Sequence, residues 1–224
     1  MGRILAFGMV VVLAGVFAMT VFERRPRIFS NTIVPAIAGR AEVKLLGWPR
    51  QLSWEGFRNL RQAPVGRPQN AAMIASRFGV PDGDGLAPIE RDGRWRFERI
   101  VVFVEMDRAH SWVAEEHRSD RVLAHEQAHL DITGLAAREW IETLQQIEAA
   151  SGSQALDEAE RSYRQIHDKL RLVQRLYDHG SNGSREEQDA WLDRIARLTR
   201  AGAPLPEPGE LKGYSAIGGS YDTY

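Results

Sequence analysis

Two long apolar seams separated by three small residues constrain this chain more than any other feature. The first comprises Leu123, Leu130, Ala137, Ile141 and Leu144, widened by Trp140 and Ile147. These positions recur at helical spacing and predict a helix running from Ser119-Asp120, whose side chains can accept from orphan N–H groups, to about Ala150. Ser151-Gly152-Ser153 breaks it. The second seam, Leu156, Ala159, Tyr163, Ile166, Leu170, Val173 and Tyr177, alternates steps of three and four residues over three heptads. Seams joined by so short a link must bury each other as an antiparallel hairpin. If the chain reverses at Gly152, a residue n places before it lies level with the residue n places after it. Ser184 and Glu187 make a capping box for a third helix, which continues through Trp191, Ile195 and Leu198.

Upstream of the helices the pattern changes. Glu42 to Leu46, Ala71 to Val80 and Trp95 to Met106 are strand candidates, and Ile100 to Val104 is the strongest because it is β-branched and aromatic throughout. The run Pro81-Asp82-Gly83-Asp84-Gly85 reads as a loop: glycine tolerates positive φ and aspartate bonds its own backbone. The expected class is therefore α+β, a small sheet followed by a helical part that the HExxH segment His125 to His129 makes zincin-like, over residues 41–200. Residues 23–40 read as a linker, and 201–224, with Pro204, Pro206 and Pro208 and a Gly/Ser/Tyr-rich end, as a flexible tail.

Residues 1–22 stand apart. From Ile4 to Phe22 only Thr20 is polar, and Arg24, Arg25 and Arg27 follow at once. Nineteen residues at 1.5 Å each can cross a bilayer core of about 30 Å, which favours a transmembrane anchor. A signal peptide cleaved after Val16-Phe17-Ala18 is the other reading. The expected location is the bacterial cell envelope, anchored in the inner membrane facing the periplasm or released into it, although three arginines after the span against Arg3 before it do not favour export.

Composition removes several classes of function. With Lys+Arg 29 against Asp+Glu 30, and the charges interspersed along the sequence rather than gathered into a block, there is no net field to hold a nucleic acid backbone. A mean hydropathy of −0.35 excludes a membrane-embedded bundle. Cys 0 excludes disulfides, thiolate zinc ligands and a thiol nucleophile, so any metal site must use His and carboxylates.

Such a site is suggested by His125-Glu126-Gln127-Ala128-His129. Imidazoles at i and i+4 lie one turn apart on one helical face and can share a Zn²⁺. Glu126 beside them can take the proton of a zinc-bound water and pass it to a leaving amine. A catalytic zinc wants three protein ligands, leaving the fourth position for water. The metzincin continuation, with glycine three residues after the second His, is absent because Ile132 stands there. Glu139, ten residues past His129, is roughly 15 Å away along the helix. Reversal at Gly152 brings His179 level with His125, whereas His167 falls level with Ala137. His179 is accordingly the expected third ligand, with Asp178 as its substitute or as a partner orienting an imidazole.

The segment Leu123-Ala124-His125-Glu126-Gln127-Ala128-His129-Leu130-Asp131-Ile132-Thr133 resembles the HEQxHFDI motif of a bacterial domain-of-unknown-function family described as predicted secreted zinc-dependent proteases. Leu52-Ser53-Trp54-Glu55-Gly56-Phe57 is similar to that family's LTWxDF element, Ser111-Trp112-Val113 to its SWV, and Tyr177-Asp178 with His179-Gly180 to its late YD and HG pair. The resemblance spans about Gln51 to Trp191. Leu130 departs from it where Phe is usual, Gly134 where Glu is frequent, and Tyr177-Asp178 is closed up against His179. The resemblance implies metal-dependent hydrolysis and names no substrate.

Other residues carry simpler expectations. His110 and His117 read as solvated loop residues, the tryptophans as packing, Asp131 as bonded to the fold or to Arg138, and Asn182-Gly183-Ser184 as a turn and helix cap. The sequence thus predicts an HExxH-type zinc peptidase acting on an unidentified peptide or protein, with strand Ile100 to Val104 offering an edge to it. The alternative from another class is an envelope-anchored helical interaction module whose metal site is structural or degenerate.

Overall fold

The computed structural model describes residues 31–33, 42–65, 71–82, 85–181 and 184–211. The apolar run at 4–22, the Asn182-Gly183 turn and residues 212–224 lie outside them. The protein is α+β, with two mixed sheets followed by three long helices.

Among the described residues eight strands precede the helices: β1 Asn31–Ile33, β2 Glu42–Leu46, β3 Arg58–Leu60, β4 Ala72–Met73, β5 Ser76–Gly79, β6 Leu86–Arg91, β7 Arg94–Met106 and β8 Trp112–Ala114. The larger sheet runs β1-β2-β7-β5, with β6 also paired to β7; the smaller runs β3-β8-β4. β7 organises the first. Its Ile100, Val101, Val102 and Val104 are buried, as expected of a continuous β-branched run covered on both faces. The expected free edge at Ile100 to Val104 is overturned. β2 pairs in parallel with Arg99 to Phe103 on one side; the Gly85 carbonyl and β5 occupy the other. The most apolar strand is central because only a central strand loses both its edges and its faces to water-free partners.

Two further expectations change. The linker contributes β1, which pairs antiparallel with β2. The first part of the tail is packed down: Leu205 and Leu211 are buried and α4 (Pro208–Leu211) rests against the second long helix. A few apolar residues among prolines suffice to pin such a segment when a groove accepts them.

The helices are α1 Asp120–Gln146, α2 Gly152–Ser181 and α3 Arg185–Ala201. Ser119 caps α1 by accepting from Val122 N, and Ser184 caps α3 by accepting from Glu187 N at 3.1 Å. α1 and α2 form the antiparallel hairpin, with Trp140 Nε1 donating to Ala159 O and Ser162 Oγ. Leu156 departs from the seam: it is 46% exposed in the first turns of α2. α1 lies on β7 and β5, so its two long faces see different surroundings, the sheet on one side and α2 on the other.

Candidate metal centre

His125, Glu126 and His129 lie in the N-terminal half of α1, where the apolar stripe gives way to a cleft of about 790 Å³. The segment 71–76 forms one wall and α2 the opposite one. Nε2 of His125 and Nε2 of His129 are 3.2 Å apart. Asp178 Oδ1 lies 3.4 Å from the first and 2.9 Å from the second. Donors placed 2.0–2.1 Å from a tetrahedral ion are separated by about 3.3 Å, so the three atoms stand close to the edges of such a tetrahedron.

The far nitrogen of each ring is tied. His129 Nδ1 meets Gln174 Oε1, and Gln174 Nε2 donates to the carbonyl oxygen of His129 at 3.0 Å. A carbonyl can only accept, which assigns the Gln174 amide nitrogen to that side and its oxygen to the ring. His129 Nδ1 is therefore the donor, and in the neutral ring Nε2 keeps its lone pair towards His125 and Asp178. His125 Nδ1 lies 3.3 Å from Ser181 Oγ. Tyr177, fully buried, stacks on His125 with centroids 4.8 Å apart, meets His129 edge-on at 4.9 Å and donates its hydroxyl to the His125 carbonyl. Such partners fix ring orientation around a bound ion.

His179 does not join this group. At the site the hairpin register holds to within one residue, since Asp178 reaches His125 and Gln174 reaches His129. Successive helical residues point about 100° apart, however, and the side chain facing α1 is Asp178, while His179 is exposed. Asp178, and not the expected His179, thus converges with the two imidazoles. His167 sits on the cleft wall, stacked on Tyr163, and is not among the converging donors.

Glu126 is only 4% exposed and lines the cleft. Its Oε2 accepts from Ile74 N at 2.7 Å. Ile74 lies between β4 and β5, in a segment held from behind: Ala75 N donates to Ser111 Oγ at 3.0 Å, Ser111 Oγ to Asp107 O at 2.6 Å, and Asp107 N to Ala75 O at 2.7 Å. Ser111 thereby acts at one remove on the glutamate. Gln127, on the other side of α1, accepts from Leu52 N and donates to Arg50 O and to Asp131 Oδ1. Asp131 also accepts from Trp48 Nε1 at 2.9 Å, which agrees with a role in the fold. Arg138 instead lies over the Trp48 ring and donates to Thr199 O and Ala203 O. Trp48, Trp112, Trp140 and Trp191 are buried and Trp54 and Trp95 partly so, as packing residues should be.

The electrostatics follow from this geometry. Burial lifts the Glu126 carboxyl above its ordinary range against the pull of both imidazoles and the Ile74 amide, with Asp178 reinforcing the lift. Burial would also raise Asp178, but its hydrogen bonds to the two rings and their charge outweigh that and hold it well below the usual carboxylate range. For His129, burial disfavours the charged ring, and contact with Asp178 more than compensates, so its pKa rises. A glutamate with a raised proton affinity beside a carboxylate kept ionised is the separation of roles that proton-transfer chemistry uses.

Gln174, Ser181 and Tyr177 escape sequence reasoning as site residues. Their signal is faint but present: positions 174, 178 and 181 repeat along one face of α2. The chain matches no family model, no curated protein and no solved structure.

Proposed function

We propose that the protein is a zinc-dependent peptidase in which His125, His129 and Asp178 hold the ion and Glu126 moves the proton. One observation carries this reading: three donor atoms converge within 3.4 Å of one another while the opposite nitrogen of each imidazole is engaged elsewhere. An N,N,O set without sulfur suits zinc bound at three positions with a fourth left to solvent. When bound, zinc would act as a Lewis acid towards an amide carbonyl and lower the pKa of water to about 7.

This chain's own residues supply the rest. Glu126 accepts a proton from water at its carboxylate and returns it to the departing amine, aided by a raised affinity for that proton. The Ile74 amide holds Glu126 Oε2 in place. Asp178, Gln174, Ser181 and Tyr177 keep the imidazoles oriented, so little reorganisation accompanies binding. The resemblance of the His125 to Thr133 segment to predicted secreted zinc-dependent proteases supports the same reading. The apolar run at 4–22, followed by three arginines, supports an envelope location, anchored or secreted.

Metal analysis of the purified full-length protein beside its Glu126→Gln variant tests the proposal. Both should bind about one zinc, and the variant should lose turnover of a peptide library by about 10²–10⁴-fold. Less than about half an equivalent of zinc that does not recover on addition of the metal, or equal turnover by the two proteins, would sink it.

A further inference from the structure

The charged side chains that line the cleft fall into two sets. The carboxylates are Glu126 and Asp178, and both are engaged: the first by the Ile74 amide, the second by two imidazoles. The remaining charges are Arg121, Arg171 and Arg175. Among the described residues none of the three forms an ion pair, so with both carboxylates engaged the charge left facing the cleft is positive. Net charge over the chain is −1, so the gathering of three arginines around one cleft does not follow from overall composition.

The hairpin spreads these charges on both sides of the converging donors. Arg121 lies one turn before His125 on α1. Arg171 and Arg175 lie on α2, seven and three residues before Asp178, roughly 10 Å and 4.5 Å along the axis. Because α2 runs antiparallel, Arg121 stands towards one end of the cleft and Arg171 towards the other. Arg121 is also held in place. Gln188, 4% exposed on α3, accepts from Arg121 Nε through Oε1 and donates through Nε2 to the Arg121 carbonyl at 3.1 Å. A neutral amide orients the guanidinium without cancelling its charge, leaving the terminal nitrogens for a planar anion. From Arg171 to Ser181 the wall is about 15 Å long, the span of four or five extended residues at 3.3 Å each.

We infer that the cleft selects acidic peptides, extended chains with Asp or Glu on both sides of the bond presented to Glu126. The choice of a peptide rests on the peptidase reading above; the choice of charge rests on the three arginines alone. Each carboxylate–guanidinium contact at such an open site is modest, and two reversed charges convert attraction into repulsion.

The test separates the two ideas by measuring binding without turnover. Full-length Glu126→Gln protein carrying zinc is titrated with dye-labelled decapeptides of one scaffold, flanked by Glu or by Lys, and followed by fluorescence anisotropy. The Glu peptide should bind at least about tenfold tighter, and 0.5 M NaCl should erase most of the difference. Reversing the exposed pair as Arg171→Glu/Arg175→Glu, with an unchanged circular dichroism melt, should remove the preference; Arg171→Lys/Arg175→Lys should retain most of it. Equal affinity for the two peptides, or a preference that survives charge reversal, overturns the inference even if the wild-type protein cleaves peptides. Tighter binding of an oligothymidylate of equal charge would also overturn it. Charge-dependent binding of the Glu peptide with no cleavage by the wild type would leave the inference standing and defeat the peptidase reading.

Discussion

The two ends of the α1–α2 hairpin are built from the same pair of helices and solve opposite problems. At the turn end, Trp140, Ile141 and Leu144 of α1, Ile147 at its C-cap, and Ala155 and Ala159 of α2 are all buried, and Trp140 reaches across to the Ala159 carbonyl. Trp95 and Ala149 exchange two backbone hydrogen bonds of 2.9 Å that fasten the turn to β7. At the open end the interface is polar: His125, His129, Gln174, Asp178 and Ser181 satisfy one another around a cleft. Apolar packing tolerates no slip because a shift of one residue would rotate each seam by about 100°. The turn end therefore sets the register that the open end requires, and the comparison predicts that stability and metal affinity can be lost separately.

The largest effect should come from the open end. Asp178→Ala removes one of the three proposed ligands and should weaken zinc binding by at least about 100-fold in a chelator competition, while His179→Ala should change it by less than about twofold. Equal losses from the two would mean that the register, not the facing side chain, had been misjudged. At the turn end, Trp140→Ala deletes a buried indole and both its hydrogen bonds and should cost about 3–5 kcal/mol in denaturant unfolding of the zinc-free protein. If zinc affinity fell in parallel under folding conditions, the two ends would not be separable.

Asp131 supplies a pH-dependent prediction from the back of α1. Burial raises its carboxyl to about 6, although Trp48 and Gln127 donate to it. The folded protein thus holds this proton at pH values where the unfolded chain has released it, and the resulting stabilisation is lost as pH rises from about 4 to about 6. Asp131→Asn keeps both hydrogen bonds and should flatten that part of the stability profile by up to about 3 kcal/mol, read from unfolding midpoints across the window. An unaltered slope would show that the carboxyl titrates like an exposed one. The smallest effect is expected for Gln174→Ala, which frees His129 Nδ1 without removing a ligand; zinc affinity should fall by about 10–100-fold with its 1:1 stoichiometry retained.

Much of this arrangement is legible in the chain. Ser119 marks the start of α1, Ser184 that of α3, and the two seams specify an antiparallel pair whose level is correct to a residue. The motif at 125–129 names two ring nitrogens and a carboxylate. The strands are less legible. β6 contains Pro88, which the ladder accommodates where its register shifts between Ala87 and Pro88. The candidate Ala71 to Val80 divides into β4 and β5, which belong to different sheets. Ile74 and Ala75 at that break carry the amides that reach Glu126 and Ser111, and no periodicity announces them. Gly134 is another case. It departs from the resembled family in sequence, and a Cβ there would stand 2.1 Å from the Trp48 ring, so the departure belongs with a close approach of loop to helix. Gly180 is comparable, with a Cβ falling 2.3 Å from Trp191 Nε1.

By itself the sequence determined three long helices, the reversal at Gly152 and the spacing of His125 and His129, because capping, turn chemistry and amphipathic period act within a few residues of one another. Which of two adjacent side chains, Asp178 or His179, faces α1 was decided only in the folded protein. That choice depends on the rotation of one helix about its own axis. The rotation is set by the summed packing of Trp140, Tyr163 and Tyr177 against the sheet, α1 and α3, and no local run of residues encodes it.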